Sequence, residues 1–466
     1  MSGLFRLSMH MMALMLAILP GVGFGQIDTT ISPSDIGITL TDEATGFTAP
    51  IWGTAAPGVD GRLYVADQIG IAWAIDIATA GPGGNSMFLD LRSRLVADLS
   101  LCNERGLLAL AFHSQYTTPG TIGFGRFYTY SSEHLSVAAD FSTIPAGQTA
   151  DHQSVITEWR VDNPTNPDAI ANPNSARVLL RIDQPQYDKN GGAMSFDLND
   201  RLYIALGDGG GVDDQGSGHS DSGNGQDNGN VLGMILRIDP TGSDAANGRY
   251  GIPVNNPYID EMTIPNELYA YGFQNPSRMA FDSDPLNELL YVGEVDQRFQ
   301  EVNIVVAGGN YGWNVKEGPF FNPGADTSRE GLIDPISQYD LDEGSEIIGG
   351  VIYRGLSSAL RGRYIFGDRR RTADATSPCS SANGGRLFVM QEAFDFGTAL
   401  TESLVEDNSS LVRSEIDELG PGQLSGRCLL GFGQDNDGEV YVLANGTGTP
   451  SADAIGTGVV MRIRTP

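Results

Sequence analysis

Imidazole is the side chain best suited to take a proton near neutral pH, and this 466-residue chain has only five. His10 lies in an apolar N-terminal segment, and His113 ends the strand-like phrase Leu108-Ala-Leu-Ala-Phe-His113. His134, His152 and His219 lie in or beside variable segments. His219 is the one to test, because it stands in an oxygen-rich loop, Asp213-Asp-Gln-Gly-Ser-Gly-His-Ser-Asp-Ser-Gly-Asn-Gly-Gln-Asp227. Carboxylates and carbonyls are what calcium requires, yet this loop lacks the glutamate that an EF-hand places twelfth. It reads as a flexible loop. Three cysteines, Cys102, Cys379 and Cys428, are too few for a disulfide framework and lack zinc spacing. One bridge is permitted in an oxidising compartment, Cys379 to Cys428 being one such pairing. The formal charge of −30 repels nucleic acid and anionic lipid, so neither is expected as a partner. Any anion site must therefore gather Lys and Arg locally.

The elements that would position such groups are strands. A phrase recurs in which a turn leads into a short strand with a central aromatic. It reads Asp60-Gly-Arg-Leu-Tyr-Val-Ala-Asp67, Asn199-Asp-Arg-Leu-Tyr-Ile-Ala-Leu206, Glu288-Leu-Leu-Tyr-Val292, Gly362-Arg-Tyr-Ile-Phe366 and Asp437-Gly-Glu-Val-Tyr-Val442. Asp-Gly and Asn-Asp tolerate positive φ and suit hairpin turns. A second strand type closes each unit: Ile71–Asp76, Val155–Val161, Met234–Ile238, Glu301–Val306, Arg386–Met390 and Val459–Arg464. Six closures at irregular spacing predict an all-β, six-bladed β-propeller with long inserted loops. Glycine at 60 of 466 residues, about twice the usual share, fits its many turns. A pair of β-sandwiches would need a linker, and no stretch reads as one. The longest insertions are 208–230, 317–346, 370–385 and 392–424. Arg6, the apolar run from Met11 to Pro20 and small residues at Gly23 and Gly25 predict a signal peptide over 1–25. One exported domain over 26–466 follows, periplasmic or secreted, with no membrane span.

Several phrases, in order, resemble the PQQ-dependent glucose/sorbosone (aldose sugar) dehydrogenase family, which includes Hedgehog-interacting-protein-like propellers. They are Asn103-Glu-Arg-Gly-Leu-Leu-Ala-Leu-Ala-Phe-His113, Asn190-Gly-Gly-Ala-Met-Ser-Phe196, Leu202-Tyr-Ile-Ala-Leu-Gly-Asp-Gly-Gly210 and Leu232-Gly-Met-Ile-Leu-Arg-Ile-Asp239. Tyr271-Gly-Phe-Gln-Asn-Pro-Ser-Arg-Met-Ala-Phe-Asp282, Glu301-Val-Asn-Ile304, Gly308-Gly-Asn-Tyr-Gly-Trp313 and Gly349-Gly-Val-Ile-Tyr-Arg354 complete the series.

The resemblance implies a sugar substrate oxidised by hydride transfer to pyrroloquinoline quinone (PQQ), with calcium. The family's proton-abstracting histidine, just before the Asn-Gly-Gly turn, is here Lys189, preceded by Asp188; Glu104 would line the same cavity. The family's quinone-holding arginine before Asn-Pro is here Gln274, beside Asn275. Arg369 stands where the family often keeps a basic residue, and Arg278, Arg298 and Arg370 could add charge. Carbonyls at Val295 and Asp296 would hold the quinone's calcium, and Glu301 with the Tyr311 carbonyl a structural one. A lysine serves as a base only with its pKa lowered by several units, and neighbouring carboxylates oppose that. Residue 189 is therefore expected to be a cation. The alternative is a catalytically inactive propeller that binds a glycan or a protein partner.

Overall fold

A computed structural model of the chain describes residues 27, 30–79, 84–96, 104–286, 288–372, 379–390 and 415–466. The expected signal peptide, Cys102 and most of the 392–424 insertion lie outside them. Among the described residues there is no α-helix, only strands and short 3₁₀ turns at Asn224–Gln226 and Ala452–Ala454. None of these helices is long and apolar enough to cross a membrane.

The strands pair as antiparallel quartets, consecutive strands lying side by side. The second sheet runs Leu107–Phe112, Arg126–Glu133, His152–Arg160, Asn172–Gln184. The third is Met194–Phe196, Leu202–Leu206, Met234–Ile238, Leu268–Tyr271. The fourth is Pro276–Phe281, Leu290–Val295, Phe299–Val305, Ser337–Asp340. The fifth is Ile347–Ile352, Tyr364–Asp368, Arg386–Met390, Ile416–Glu418, edged by Ser32–Pro33. An eight-stranded sheet holds two further quartets. One is Pro50–Thr54, Arg62–Asp67, Ile71–Asp76, Asn85–Asp90. The other is Cys428–Gln434, Val440–Asn445, Gly458–Arg464 and, from the opposite end of the chain, Thr39–Phe47. Parallel pairing of Gly433 with Gly53 and Gln434 with Thr54 joins them. A Cβ on Gly53 would lie 2.8 Å from the Gly433 Cα, so only glycine permits this approach.

The first strands of successive quartets touch in a closed circuit, Pro50–Thr54 to Leu107–Phe112 and onward until Cys428–Gln434 returns to Pro50–Thr54. The architecture is a β-propeller. Its core is divided into apolar layers between neighbouring sheets, as radial packing of two-faced sheets requires.

The recurring aromatic phrase is the second strand of each quartet, with Tyr64, Tyr203, Tyr291, Tyr364 and Tyr441 all buried. A further copy, Arg126–Glu133 with buried Tyr128, escapes the sequence pattern because its turn is Gly-Phe-Gly rather than Asp-Gly. The predicted closing strands are corrected to third strands. A fourth lies outside each; as an edge it needs little apolar sequence, and Asn85–Asp90 is half exposed. The 317–346 insertion is likewise more than loop, containing Phe320–Phe321, which pairs with Lys316–Glu317, and the edge strand Ser337–Asp340. Cys379 and Cys428 form a disulfide with Cα atoms 5.5 Å apart.

Candidate functional site

At the end of the channel where the innermost strands begin, a cavity is lined by Glu104, Gly191, Asn275, Arg278, Glu346, Arg369 and Arg370, among others. These residues come from the segments entering the innermost strands and from turns joining second to third strands. The structure thus brings together five residues singled out in the sequence, Glu104, Asn275 and Arg369 with the supporting arginines Arg278 and Arg370.

Glu104 Oε2 accepts from the Asn190 backbone N–H at 3.2 Å and from Asn275 Nδ2 at 3.1 Å. Asn275 Oδ1 in turn accepts the Gly191 N–H at 2.9 Å, fixing the Asn-Gly-Gly turn. Burial, together with the charges of Glu346 and Asp188, pushes the Glu104 carboxyl up to about 7, against the two hydrogen bonds. A carboxyl poised near neutrality on a cavity wall can give or take a proton.

Lys189 adopts a left-handed backbone, φ 51°. The next segment runs so close that a Cβ on Gly207 would lie 1.9 Å from the Lys189 carbonyl oxygen. Its Nζ lies 3.9 Å from Asp208 Oδ2 and 5.6 Å from the centre of the Trp313 ring. Trp313 Nε1 and the Gly210 N–H donate to Asp208 at 2.9 and 3.0 Å. Burial drives the Asp208 carboxyl well above its usual range, with Lys189 opposing. Lys189 is thus committed to an acidic, aromatic seat. Asp188 keeps one buried carboxylate oxygen without a hydrogen-bond partner. Gln274 is buried; its carbonyl accepts from the Asp208 N–H, its own N–H donates to Glu294 Oε1 at 2.6 Å, and its side-chain amide nitrogen has no acceptor.

That backbone bridge leads to a buried acidic cluster. Glu294 and Glu301 are directly opposed across the ladder, and with Asp296 they bring carboxylate oxygens within 4.8 Å of one another. Opposed like charges destabilise a sheet, and among the described residues no Lys, Arg or His forms an ion pair with these three. Asn303 Nδ2 donates to Glu294 at 3.1 Å and Glu301 at 3.3 Å, and the Gly318 N–H also donates to Glu301. One Asp296 oxygen is buried without a donor. Burial raises all three carboxyls, Glu294 and Asp296 most, with mutual repulsion adding to it in those two. Such a group must hold protons or a hard cation, and an oxygen-only set of this kind suits calcium.

Glu294 was not among the sequence candidates, although a glutamate inside the apolar run Leu-Tyr-Val-Gly-Glu-Val is itself the signal. Val295 donates its N–H to the Asn275 carbonyl. Tyr311 is held by its hydroxyl, which donates to the Ile304 carbonyl at 2.7 Å, and by stacking on Phe273. Arg298 lies apart from the cavity, paired with Glu317. The 213–227 loop is corrected from flexible to internally pinned. Asp214 accepts the Asn224 and Gly225 N–H groups at 2.8 and 2.9 Å and lies 2.7 Å from His219 Nδ1.

Residues 93–368 match the family model for Glucose / Sorbosone dehydrogenase. The chain belongs to that family. Among relatives of this glucose/sorbosone dehydrogenase-family chain, the HIPL1 protein of Arabidopsis thaliana is 27% identical over 91% of the chain and 64% of its own length. The Hedgehog-interacting protein of Mus musculus is 27% identical over 82% of the chain and 47% of its own length. The chain thus spans roughly half to two-thirds of these curated relatives. In three dimensions it is similar to the PQQ-bound aldose sugar dehydrogenase of Streptomyces coelicolor, with TM-score 0.60 and 18% identity over 93% of this chain and 100% of that one. The apo aldose sugar dehydrogenase of Escherichia coli gives 0.61 and 17% over 92% and 100%.

Proposed function

We propose that this chain is an exported, six-bladed propeller that binds a sugar at its channel mouth and oxidises it as a PQQ- and calcium-dependent aldose dehydrogenase. The observation that carries the reading is the convergence of Glu104, Asn275 and three arginines on one cavity. The cations and orphaned donors there suit a polycarboxylate such as PQQ, which Arg369 and Asn275 would hold. When bound, that quinone would supply a two-electron hydride acceptor. Glu104, rather than Lys189, is the residue placed to accept the sugar hydroxyl proton. Asn275 orients Glu104, and Lys189 with Asp208 braces the Asn-Gly-Gly turn behind it. Calcium belongs to the Glu294, Asp296, Glu301 cluster, which stiffens the fourth sheet one backbone link from the cavity. The disulfide supports an oxidising compartment, periplasmic or extracellular.

The test adds PQQ and calcium to the purified chain and follows dye reduction with a panel of aldoses. Turnover that needs both additions is expected; absence of both quinone binding and turnover removes the enzyme reading. A second reading, a binding propeller without chemistry, is favoured by the Lys189–Asp208 pair at the histidine position and by the Hedgehog-interacting relatives. It predicts sugar or partner binding with no heat on PQQ titration.

A further inference from the structure

Resting on the sugar-binding reading of this cavity, we propose that its preferred ligand carries a carboxylate beside its hydroxyls, a uronate-type sugar acid rather than a neutral aldose. Arg278 carries the argument. It projects from the innermost strand Pro276–Phe281 and lines both this cavity and the one toward the opposite end of the channel. Its guanidinium reaches the innermost strand of the last quartet, Cys428–Gln434. Nη1 and Nη2 donate to the carbonyls of Ser277 and Leu430, each at 2.7 Å, and Nε is buried with no acceptor. Among the described residues no carboxylate pairs with it. A guanidinium partly withdrawn from water normally shares its place with an anion, because backbone carbonyls offer only partial charge.

Arg369 repeats the theme on the same wall. Its Nη2 pairs with Glu346 at 2.5 Å, Nη1 donates to the Gly448 carbonyl at 3.1 Å, and Nε is buried without an acceptor. Glu346 pairs directly with Arg369, which leaves Arg278 without an ion pair of its own, with Glu346 and Glu104 acting on it only from a distance. In a chain of charge −30, this local surplus is opposite in sign to the molecule as a whole. A single ligand carboxylate would balance Arg278 and accept charge-assisted bonds from the fork. Asn275 and Glu104 remain for ring hydroxyls.

The test is calorimetry on the calcium-loaded full chain with glucuronate and galacturonate, their neutral counterparts glucose and galactose, and PQQ alone as a separate carboxylate source. Uronates should bind at least about tenfold tighter than the matched aldoses, the scale of one charge-assisted pair. That advantage should vanish in Arg278→Gln and shrink in Arg278→Lys, which keeps charge but not the fork; melting curves without ligand report whether each variant folds. If Arg278→Gln does not fold, the reduced uronate advantage in Arg278→Lys carries the test, and an undiminished advantage there overturns the role of Arg278. Equal affinity for uronate and aldose overturns the carboxylate preference and leaves the sugar site standing. Binding of PQQ with no uronate binding assigns the cations to the quinone and overturns the inference. No heat with any sugar overturns the underlying site reading itself.

Discussion

Glu104 concentrates what the site can do in one side chain. Its carboxyl rests near 7 instead of the ordinary 4.5, so below neutrality it is a proton donor and above it an acceptor. Oxidation of a sugar hydroxyl needs the acceptor, and kcat/KM is expected to rise with pH through about 7. Glu104→Gln should lower turnover about 10²–10⁴-fold, the usual worth of a positioned base, with sugar affinity largely kept. The linked stability effect has the opposite slope. A carboxyl whose folded pKa is raised contributes stability at low pH that is lost as pH climbs through 7, and Glu104→Gln should flatten that loss in a series of melts from pH 5 to 8. Lys189 calls for a different measurement. Lys189→Met would leave buried Asp208 with only Trp313 and Gly210, and should cost about 1–3 kcal/mol in denaturant unfolding. The sequence alone gave Glu104 and Arg369 their place only through a family likeness. Arg278 it offered merely as spare charge, because what isolates a guanidinium is the absence of a partner from other strands.

Among elements, the fourth sheet holds the sharpest local conflict, two glutamates opposed on adjacent buried strands with Asp296 at the turn between them. Calcium titration should raise Tm by several degrees at pH 7.5, since binding at a hundred times Kd stabilises by about 2.7 kcal/mol. It should do less at lower pH, where protons compete more strongly for carboxyls whose proton affinity burial raises. Glu294→Gln should abolish the calcium response while raising stability in calcium-free buffer. The disulfide ties the turn after the second strand of the fifth sheet to the first residue of the next quartet. Reducing it should cost about 2–4 kcal/mol, read as a fall in the unfolding midpoint with dithiothreitol. Apart from Arg126–Glu133, second and third strands were legible in the sequence because both faces are buried and their apolar runs are continuous. The fourth strands were not, since an edge facing water can be built from Asn-Ser-Met and looks like loop. Register across the sheets, which opposes Glu294 to Glu301, is a tertiary fact that no single strand announces.

At the scale of the molecule, sequence periodicity was enough for an all-β propeller, and irregular insert lengths hid only where each edge strand falls. What periodicity does not reveal is who completes the last quartet. Thr39–Phe47 pairs along Gly458–Arg464, Thr39 opposite Arg464 and Phe47 opposite Gly458, so segments from nearly opposite ends of the polypeptide share one ladder. Residues 39–47 must therefore wait until synthesis has passed residue 464 before the toroid can latch. Nascent chains arrested ahead of residue 458 should remain fully sensitive to protease across the final quartet. Resistance should then appear in a single step on release, rather than growing sheet by sheet, and refolding should be slow in the manner of topologies governed by distant pairing.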